Sequence, residues 1–297
     1  ILRILTQGCP SKLGLNEPNE MKSKVIAQGN QQTFHMYPEV VTKTMNKEEK
    51  NPHLKPVKLW VLHCSPYAPT TGQGMQIKPE KNPRIIWDGS TKTSPDQIVL
   101  NEQTTTELEA IIDFGTAKIR LLTSIYNWRI SFPEDIIYIA LADITACFRF
   151  PRIAADLTGA FGFVADGMYF VVNAHVFGSN TSCSSWEPFR RAIQALIRVY
   201  LGRADLVVKH SELLSLLKWD DLLSVSQGIT PAAPCTLNKG VLDPEGNVFG
   251  TDGNIYVDDI LNAGVSKEYV NKLLAATIEA IFTVCGEPQI DVRQCPL

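Results

Sequence analysis

The sequence predicts an α+β fold with an antiparallel sheet, and three patterns support this class. An apolar run at 136–142 is typical of a buried strand. Two strand-like runs, 161–165 and 168–172, flank Asp166-Gly167, a dipeptide that suits a tight turn with positive φ. Helical periodicity at about 184–201 predicts an amphipathic helix. Because strands, hairpins and helices are mixed along the chain, an antiparallel sheet is favoured.

The N-terminal part of the chain is expected to be less regular. Residues 1–57 are polar with weak periodicity, which predicts a linker or an irregular extension. Leu59-Trp60-Val61-Leu62 predicts a short strand, and the stretch 66–83, rich in Pro, Gly, Thr and Lys, predicts a loop. A second strand is predicted at Arg84-Ile85-Ile86-Trp87, ended by Asp88-Gly89.

Helices and strands are more clearly marked in the middle of the chain. Thr106 is a candidate cap for a helix through Ile112. The buried run at 136–142 delivers Asp143 at its end. The helix at 184–201 has an apolar face, predicted to be core, and a polar face that serves either as solvent surface or as a surface for a polyanion. That polar face carries Arg190, Arg191, Gln194 and Arg198.

The C-terminal part continues the mixed pattern. A helical stretch is predicted near 211–223, followed by Pro- and Gly-containing loops. Ser266 is a good N-cap for a long apolar helix, and Gly286 is placed to end it. Residues 289–292 predict a final strand.

The composition is that of a folded protein without a membrane span. The chain has 297 residues, of which 44% are hydrophobic. Its longest apolar runs are far too short to cross a bilayer, so no membrane partner is expected. The seven cysteines are scattered without CxxC spacing. That pattern favours reduced thiols and an intracellular protein of the cytoplasm or nucleus.

Charge is unevenly distributed along the chain. The net charge of −3 argues against a basic nucleic-acid surface over the whole molecule. From Lys50 to Lys92, however, seven basic residues stand against two acidic ones, an excess of five. On charge alone, this stretch is more typical of solvated loops than of a binding site.

An aspartate pair, Asp258-Asp259, lies between two short strand-like pieces, 255–257 and 260–261. Two adjacent carboxylates at a tight turn repel each other strongly unless divalent metal ions absorb their charge. Asp143 offers a third carboxylate at the end of a buried strand. If the sheet sets the two strands side by side, the three residues form a two-metal site for phosphoryl or nucleotidyl transfer.

The aspartates belong to a series of four motifs. In chain order these are Asp143-Ile144-Thr145-Ala146-Cys147-Phe148, Ala160-Phe161 with Gly167-Met168-Tyr169, Phe177-Gly178-Ser179-Asn180-Thr181-Ser182 with Trp186, and Tyr256-Val257-Asp258-Asp259. They resemble the first aspartate motif, the fingers hairpin, the start of the template-grip helix and the Y-x-D-D box of retrotransposon reverse transcriptases, especially the gypsy-like LTR class. Arg84-Ile85-Ile86-Trp87-Asp88 is a weaker fifth likeness, similar to a fingers strand. The resemblance covers roughly 59–297.

The resemblance implies the fingers and palm of a right-hand polymerase, with an antiparallel palm sheet backed by helices. It leaves 1–57 as an N-terminal extension or linker, and assigns 58–142 to fingers strands and a loop and 143–297 to the palm. Within the palm it implies a fingers hairpin at about 158–178. The long gap between the third and fourth motifs predicts an insertion at about 202–250.

The implied activity is that of an RNA-directed DNA polymerase, which adds dNTPs to a primer 3′-hydroxyl on an RNA or DNA template. Two Mg²⁺ ions are the implied cofactors, with Mn²⁺ as an alternative. The implied catalytic and metal-binding residues are Asp143, Asp258 and Asp259. The implied substrate-binding residues are Ile144 through its carbonyl, Phe148 against the sugar, Gly178 near the nascent base pair, and Arg84, Lys78 and Lys81 toward the triphosphate.

Two other functions stay open. A decayed or domesticated polymerase-like domain would bind nucleic acid without copying it, and the intact set of three carboxylates argues against that. A different metal-dependent phosphotransferase or nuclease would need a general base or a water-binding histidine. The nearest candidate, His175, lies in an apolar stretch that is typical of a structural residue.

Overall fold

The chain folds into two units, each with its own antiparallel sheet. The first unit comprises Ile1–Ile111 with Phe148–Trp186, and the second comprises Ile112–Cys147 with Glu187–Leu297. The computed structural model describes residues 2–9, 11–12, 19–51, 53–64, 73–78, 81–92, 95, 99–103, 105–106, 114–217, 219, 254–256, 259–264, 266–286 and 290–294. The predicted helix after Thr106, most of the predicted insertion at 202–250, and Asp258 lie outside these residues.

Helices and antiparallel strands occur in both units, so the predicted α+β class is confirmed. The helices are α1 (Leu2–Gln7), α2 (Asn19–Gln28), α3 (Gln32–His35), α4 (Pro38–Lys50), α5 (Leu100–Gln103), α6 (Phe114–Ser131), α7 (Ser182–Tyr200), α8 (Asp205–Lys209), α9 (Ser211–Leu214) and α10 (Lys267–Cys285). The strands are β1 (Ser11–Lys12), β2 (Leu54–Lys58), β3 (Gly74–Lys78), β4 (Lys81–Ile86), β5 (Thr105–Thr106), β6 (Tyr138–Ile144), β7 (Phe163–Ala165), β8 (Met168–Val172), β9 (Asn254–Tyr256), β10 (Asp259–Gly264) and β11 (Ile290–Gln294). Among the helices described, none is both long and apolar enough to span a bilayer.

The first unit contains a three-stranded sheet in the order β2-β8-β7. The turn between β7 and β8 is Asp166-Gly167, with φ of 48° and 72°. Two consecutive positive φ values are what a two-residue hairpin of this kind requires, so the predicted hairpin is confirmed. The rings of Phe163 and Phe170 stack on the core side of this sheet, with their centres 5.1 Å apart.

The predicted irregular extension at 1–57 is wrong for α2 and α4, which are helices. Val41 and Met45 lie one turn apart on α4 and are buried in the core of the first unit. Pro38 stands at the start of α4, where its missing N–H costs no helical hydrogen bond. Val40, Val41 and Met45 do recur at helical spacing, but the rest of the segment is polar and rich in Lys and Glu. Tertiary packing of this apolar face, rather than local propensity, stabilises such a helix.

The predicted strand at Leu59-Trp60-Val61-Leu62 is also wrong. The strand comes directly before it as β2, and Leu59–Cys64 forms a 3₁₀ helix. Pairing between β2 and β8 ends at Lys58 and Met168, because Met168 is the first residue of β8. With no partner strand beyond that point, the chain turns instead, burying Leu62 and leaving Trp60 exposed.

The predicted loop at 66–83 contains a strand that pattern alone did not indicate. β3 pairs with β4, and Met75 and Ile85 are buried register partners in this hairpin. The predicted strand beginning at Arg84 is confirmed as the second half of β4. A five-residue strand among Pro, Gly and Lys has too few apolar residues for its alternation to stand out.

The second unit is built on a four-stranded antiparallel sheet in the order β11-β6-β10-β9. β6 is central and largely buried, as the apolar run at 136–142 predicts. Helix α10 packs on β6 and β10, and its predicted cap is confirmed: the Ser266 hydroxyl accepts a hydrogen bond from the Tyr269 N–H at 3.1 Å. Gly286, at φ 78°, follows the last residue of α10, as predicted.

Helix α7 confirms the predicted amphipathic helix but corrects the prediction for its polar face. Ile193 and Ile197 are fully buried on the apolar face. Arg190, predicted to be surface, is also buried and bonds both carboxylate oxygens of Glu187 at 2.7 Å. Arg191 donates to the same carboxylate at 2.8 Å. The buried Glu187 holds two of these arginines, and periodicity does not reveal such a counter-charge.

Candidate active site

Two of the three predicted catalytic aspartates lie opposite each other on neighbouring strands. Asp143 of β6 and Asp259 of β10 are direct register partners in the antiparallel ladder. Side chains at directly opposed positions project from the same face of a sheet, with Cβ atoms about 4.5–5.5 Å apart. The structure therefore brings these two residues together, and their catalytic role stays a prediction.

The sheet face that carries the two aspartates is apolar and covered at one end and acidic and accessible at the other. Alternate residues of a strand share a face, so Ile139 and Ala263 lie on the same side as Asp143 and Asp259. Ile139 and Ala263 are themselves register partners and pack in the core with Trp128 of α6. At the other end of this face, Asp143 is half-buried and Asp259 is exposed. The acidic pair thus marks the end of the covered region.

The pairing on either side of the Y-x-D-D motif defines a hairpin. Tyr256 of β9 pairs with Asp259 of β10. Val257 and Asp258 connect these paired positions in the chain and lie outside the described residues. A two-residue connection is the commonest way to join antiparallel strands. The predicted turn between two strands therefore agrees with the observed register.

The opposed aspartates make the end of this face electrostatically unfavourable by itself. Like charges directly opposite each other on neighbouring strands destabilise a sheet. Carboxylate oxygens are the ligands that hard divalent cations such as Mg²⁺ prefer. The Asp143–Asp259 pair therefore suits a hard divalent cation through the type of its oxygen donors.

Asp291 is a residue that sequence reasoning missed. It lies in β11 at the register position opposite Asp143, on the other side of β6 from Asp259. The final strand is predicted from its pattern, but no local signal says that it pairs with β6. Within the part of the chain that the structure describes, no group of three or more His, Cys, Asp or Glu side chains is arranged to hold a metal ion.

The chain turns sharply after Asp143. Ile144 ends β6, is fully buried and pairs with Ile290. Ala146 has φ of 56°, in the left-handed region that residues with a Cβ rarely adopt. Strain of this kind concentrates at functional sites. The role of the Ile144 carbonyl as a ligand stays a prediction.

Phe148, the predicted contact to the sugar of the nucleotide, belongs to the first unit. It is buried, at 6% exposure, and its ring meets that of Phe177 edge-on with centres 5.1 Å apart. Phe177 is 47% exposed. The two rings form one aromatic pair in which Phe177 is the accessible member, and the sugar contact of Phe148 stays a prediction.

Gly178, the predicted neighbour of the nascent base pair, also belongs to the first unit. Its φ is +104°, and a Cβ at this position would overlap the carbonyl oxygen of Trp87. Any other residue would therefore clash with backbone as well as strain the chain. The glycine is required here by the close approach of two backbone segments.

The residues predicted to face the triphosphate lie on one hairpin of the first unit. Arg84 is exposed on β4 and pairs with Gln76 of β3. Lys78 and Lys81 are register partners at the end of the same hairpin. The structure thus places the three residues on the β3–β4 hairpin, while their contact with a nucleotide stays a prediction.

A buried charged cluster lies elsewhere in the first unit. The Arg149 guanidinium contacts the Glu48 carboxylate at 2.9 Å and lies 4.8 Å from the ring centre of Trp87. Burial by itself would raise the pKa of Glu48, but its hydrogen bond with His53 and the charge of Arg149 hold that pKa below its usual value. The cluster is well paired, which is typical of a structural network.

His175 lies in the same core, with its backbone oxygen accepting a hydrogen bond from Arg149 at 3.2 Å. Its side chain is fully buried, and neither ring nitrogen has a hydrogen-bond partner among the described residues. Burial, and then the charge of Arg149, lower the pKa of His175 to about 4. The ring is therefore neutral at neutral pH and is not exposed to bind a water for hydrolysis.

The chain was compared with protein-family models, with curated proteins and with solved structures. No protein-family model matches the sequence, and no curated protein matches it. Solved structures to which the chain is similar include a CSH mutant of the Prototype Foamy Virus protease-reverse transcriptase, 12% identical with a TM-score of 0.48 over 95% of this chain and 26% of that one.

Two other similar structures are complexes of the foamy viral protease-reverse transcriptase. The dRH form with double-stranded DNA is 13% identical, with a TM-score of 0.45 over 94% of this chain and 36% of that one. The complex with an RNA/DNA hybrid is 11% identical, with a TM-score of 0.47 over 94% of this chain and 25% of that one. The chain spans only these fractions of its neighbours' lengths, and the gypsy-like class stays a prediction.

Proposed function

We propose that this chain is the catalytic fingers and palm portion of an RNA-directed DNA polymerase of a retroelement. The observation that carries the proposal is the register pairing of Asp143 with Asp259, two residues from separate sequence motifs that the sheet places opposite each other. Asp258 adjoins Asp259 in the chain. Nucleotidyl transfer needs such a convergence of carboxylates from distant segments.

Divalent metal ions fit this pair of residues, since Asp143 and Asp259 offer hard oxygen donors on one sheet face. When bound, two Mg²⁺ ions, or Mn²⁺ in their place, would supply charge stabilisation and a more acidic primer 3′-hydroxyl. Asp143 and Asp258 would be the principal ligands, Asp259 would support them, and the Ile144 carbonyl would add an oxygen.

The remaining roles concern the nucleotide. Arg84, with Lys78 and Lys81, would neutralise charge on the triphosphate, because guanidinium and ammonium groups form strong hydrogen bonds to phosphate. Phe148 would lie against the sugar and disfavour a ribose 2′-hydroxyl, and Gly178 would lie near the nascent base pair. The partners are an RNA or DNA template with its primer and dNTPs, in a gypsy-like element that acts inside the cell.

The competing functions make different predictions. A silent polymerase-like domain would bind primer–template without extending it. A nuclease or another phosphotransferase would need a base near its water, and the buried neutral ring of His175 does not offer one. Primer extension by the 297-residue chain separates these functions, using a DNA primer on an RNA template with dNTPs and Mg²⁺.

Three substitutions each remove one carboxylate and nearly preserve the shape of the side chain: Asp143→Asn, Asp258→Asn and Asp259→Asn. We expect the first two to lower the extension rate at least about 1,000-fold, because several kcal/mol of charge stabilisation is lost. Asp135→Asn is the matched control, as Asp135 is an exposed aspartate in the same unit. Extension that survives Asp143→Asn, or an unsubstituted chain that binds primer–template without extending it, contradicts the proposed function.

A further inference from the structure

The loop that contains Gly178 is held in place by the side chain of Asn101, a residue of α5. The Asn101 amide nitrogen donates to the Gly178 carbonyl at 2.8 Å, and its amide oxygen accepts from the Asn180 N–H at 3.0 Å. The Asn180 side chain returns a hydrogen bond to the Asn101 carbonyl at 2.7 Å. Both ends of the Asn101 amide are used, so its orientation is set by its partners.

Asn101 is itself anchored to the turn that follows β4. Its backbone N–H donates to the Gly89 carbonyl at 3.0 Å, and its side-chain nitrogen also reaches the Ser90 hydroxyl at 2.9 Å. Asp88 closes that turn by accepting from the Ser90 N–H at 2.9 Å. The side chain of Asn101 therefore ties the turn after β4 to the Gly178 loop.

The loop also rests directly on the end of β4. The Gly178 backbone lies so close to the Trp87 carbonyl that no Cβ fits between them. Trp87 is buried in the core of the first unit, where its ring meets Phe163 edge-on. The loop is therefore held by two kinds of contact: the close backbone approach to Trp87 and the hydrogen bonds with Asn101.

We propose that Asn101 is a positioning residue for nucleotide binding, acting through the Gly178 loop. This inference rests on the proposed function, in which Gly178 lies near the base pair formed by the incoming dNTP. Phe177, Gly178 and Asn180 are exposed on the loop and accessible to a base, whereas Asn101 is half-buried and contacts the loop through hydrogen bonds. Holding the loop in its binding conformation before the nucleotide arrives lowers the cost of binding.

The test compares Asn101→Ala and Asn101→Asp with the unsubstituted 297-residue chain. Asn101→Asp keeps the oxygen that accepts from Asn180 but loses the donor to Gly178, and its near-identical shape guards against misfolding. Asn30→Ala is the matched control, because it also removes one side-chain hydrogen bond to a backbone carbonyl of the first unit, that of Val164. Melting temperature, amide exchange of Asn180, and the KM and kcat for dNTP are measured on each.

In Asn101→Ala we expect faster hydrogen exchange of the Asn180 amide. We also expect the KM for dNTP to rise about tenfold, which corresponds to the net free energy of one to two hydrogen bonds. The kcat at saturating dNTP and the Kd for primer–template should stay within about twofold of the parent values. Asn101→Asp should raise the KM at least as much, because a carboxylate oxygen then faces the Gly178 carbonyl oxygen in place of a donor, and Asn30→Ala should leave the KM unchanged.

An active Asn101→Ala chain with an unchanged KM for dNTP overturns the inference, whatever its Asn180 exchange, because the loop contact would then be structural only. A fall in kcat and melting temperature with no change in KM overturns it equally. An unsubstituted chain that neither binds nor incorporates dNTP contradicts the proposed function itself, and the inference falls with it. The two failures are distinguishable, because failure of the inference appears only in the Asn101→Ala variant, whereas failure of the proposed function appears in the unsubstituted chain.

Discussion

At the scale of single residues, the buried ring of His175 makes a pH-dependent contribution to stability. Its pKa is about 4 in the folded chain, because burial and the charge of Arg149 disfavour the protonated form. In the unfolded chain the ring titrates near its ordinary value of about 6.5. Between these values the unfolded state binds more protons, so the free energy of unfolding falls as pH drops, by up to about 3 kcal/mol at pH 4.

Replacing His175 with Phe should remove this slope between pH 6.5 and pH 4, as measured by denaturant unfolding at a series of pH values. His35→Gln is the control, since His35 is exposed on α3 and should leave the slope unchanged. Other acid-sensitive groups persist in both variants. The pKa values of Glu48 and Glu187 are lowered in the folded chain, so the stability that these carboxylates contribute above their unfolded pKa is lost as pH falls further. An unaltered slope in His175→Phe would show that the ring protonates without cost.

At the scale of the element, helix α7 depends on the buried carboxylate of Glu187. Glu187 is fully buried and Arg190 nearly so, and they share two hydrogen bonds of 2.7 Å. Glu187→Gln would leave the Arg190 charge buried without a counter-charge. We expect the variant to lose about 3–5 kcal/mol of unfolding free energy, measured in urea at neutral pH.

Two further variants locate the origin of that loss. Arg191→Ala should cost less than about 1 kcal/mol, because the Arg191 side chain is 55% exposed and its pair with Glu187 is screened by solvent. The double variant Glu187→Gln with Arg190→Met should recover most of the stability, as no unpaired charge remains buried. If the single Glu187→Gln variant is as stable as the parent, α7 does not depend on this ion pair.

At the scale of the whole molecule, the proposed metal site links cation binding to the stability of the folded chain. A ligand that binds only the folded state stabilises it by mass action, by about 1.4 kcal/mol at ten times its Kd. We therefore expect Mg²⁺ to raise the melting temperature by a few degrees. The same concentration of Mg²⁺ should have no effect on Asp143→Asn, whereas Asp135→Asn should respond like the parent.

The metal-free chain gives a complementary readout. Asp259→Asn relieves the repulsion between the opposed carboxylates at its exposed end, so it should raise the melting temperature measured in EDTA. This sign is opposite to that of most substitutions. The parent chain is also heated over a series of Mg²⁺ concentrations that reaches those saturating other protein Mg²⁺ sites. If its melting temperature does not change with Mg²⁺, no cation binds at this pair.

The sequence by itself determined much of the fold, because several of its signals are local. The apolar run before Asp143 predicts β6, Asp166-Gly167 predicts a hairpin, and Ser266 predicts the start of α10. Each signal is carried by neighbouring residues whose backbone preferences and periodicity do not depend on the rest of the chain. The choice of Asp143 and the Asp258-Asp259 pair as site residues likewise came from motifs alone.

Only the tertiary structure decided which segments meet. It set Asp143 opposite Asp259, placed Asp291 in the same register row, and joined Asn101 to the Gly178 loop. It also buried Val41 and Met45 of α4 in the core of the first unit. Strand pairing, buried counter-charges and side-chain hydrogen bonds join residues far apart in the sequence, and their free energy arises only once the packing exists, so no local pattern records them.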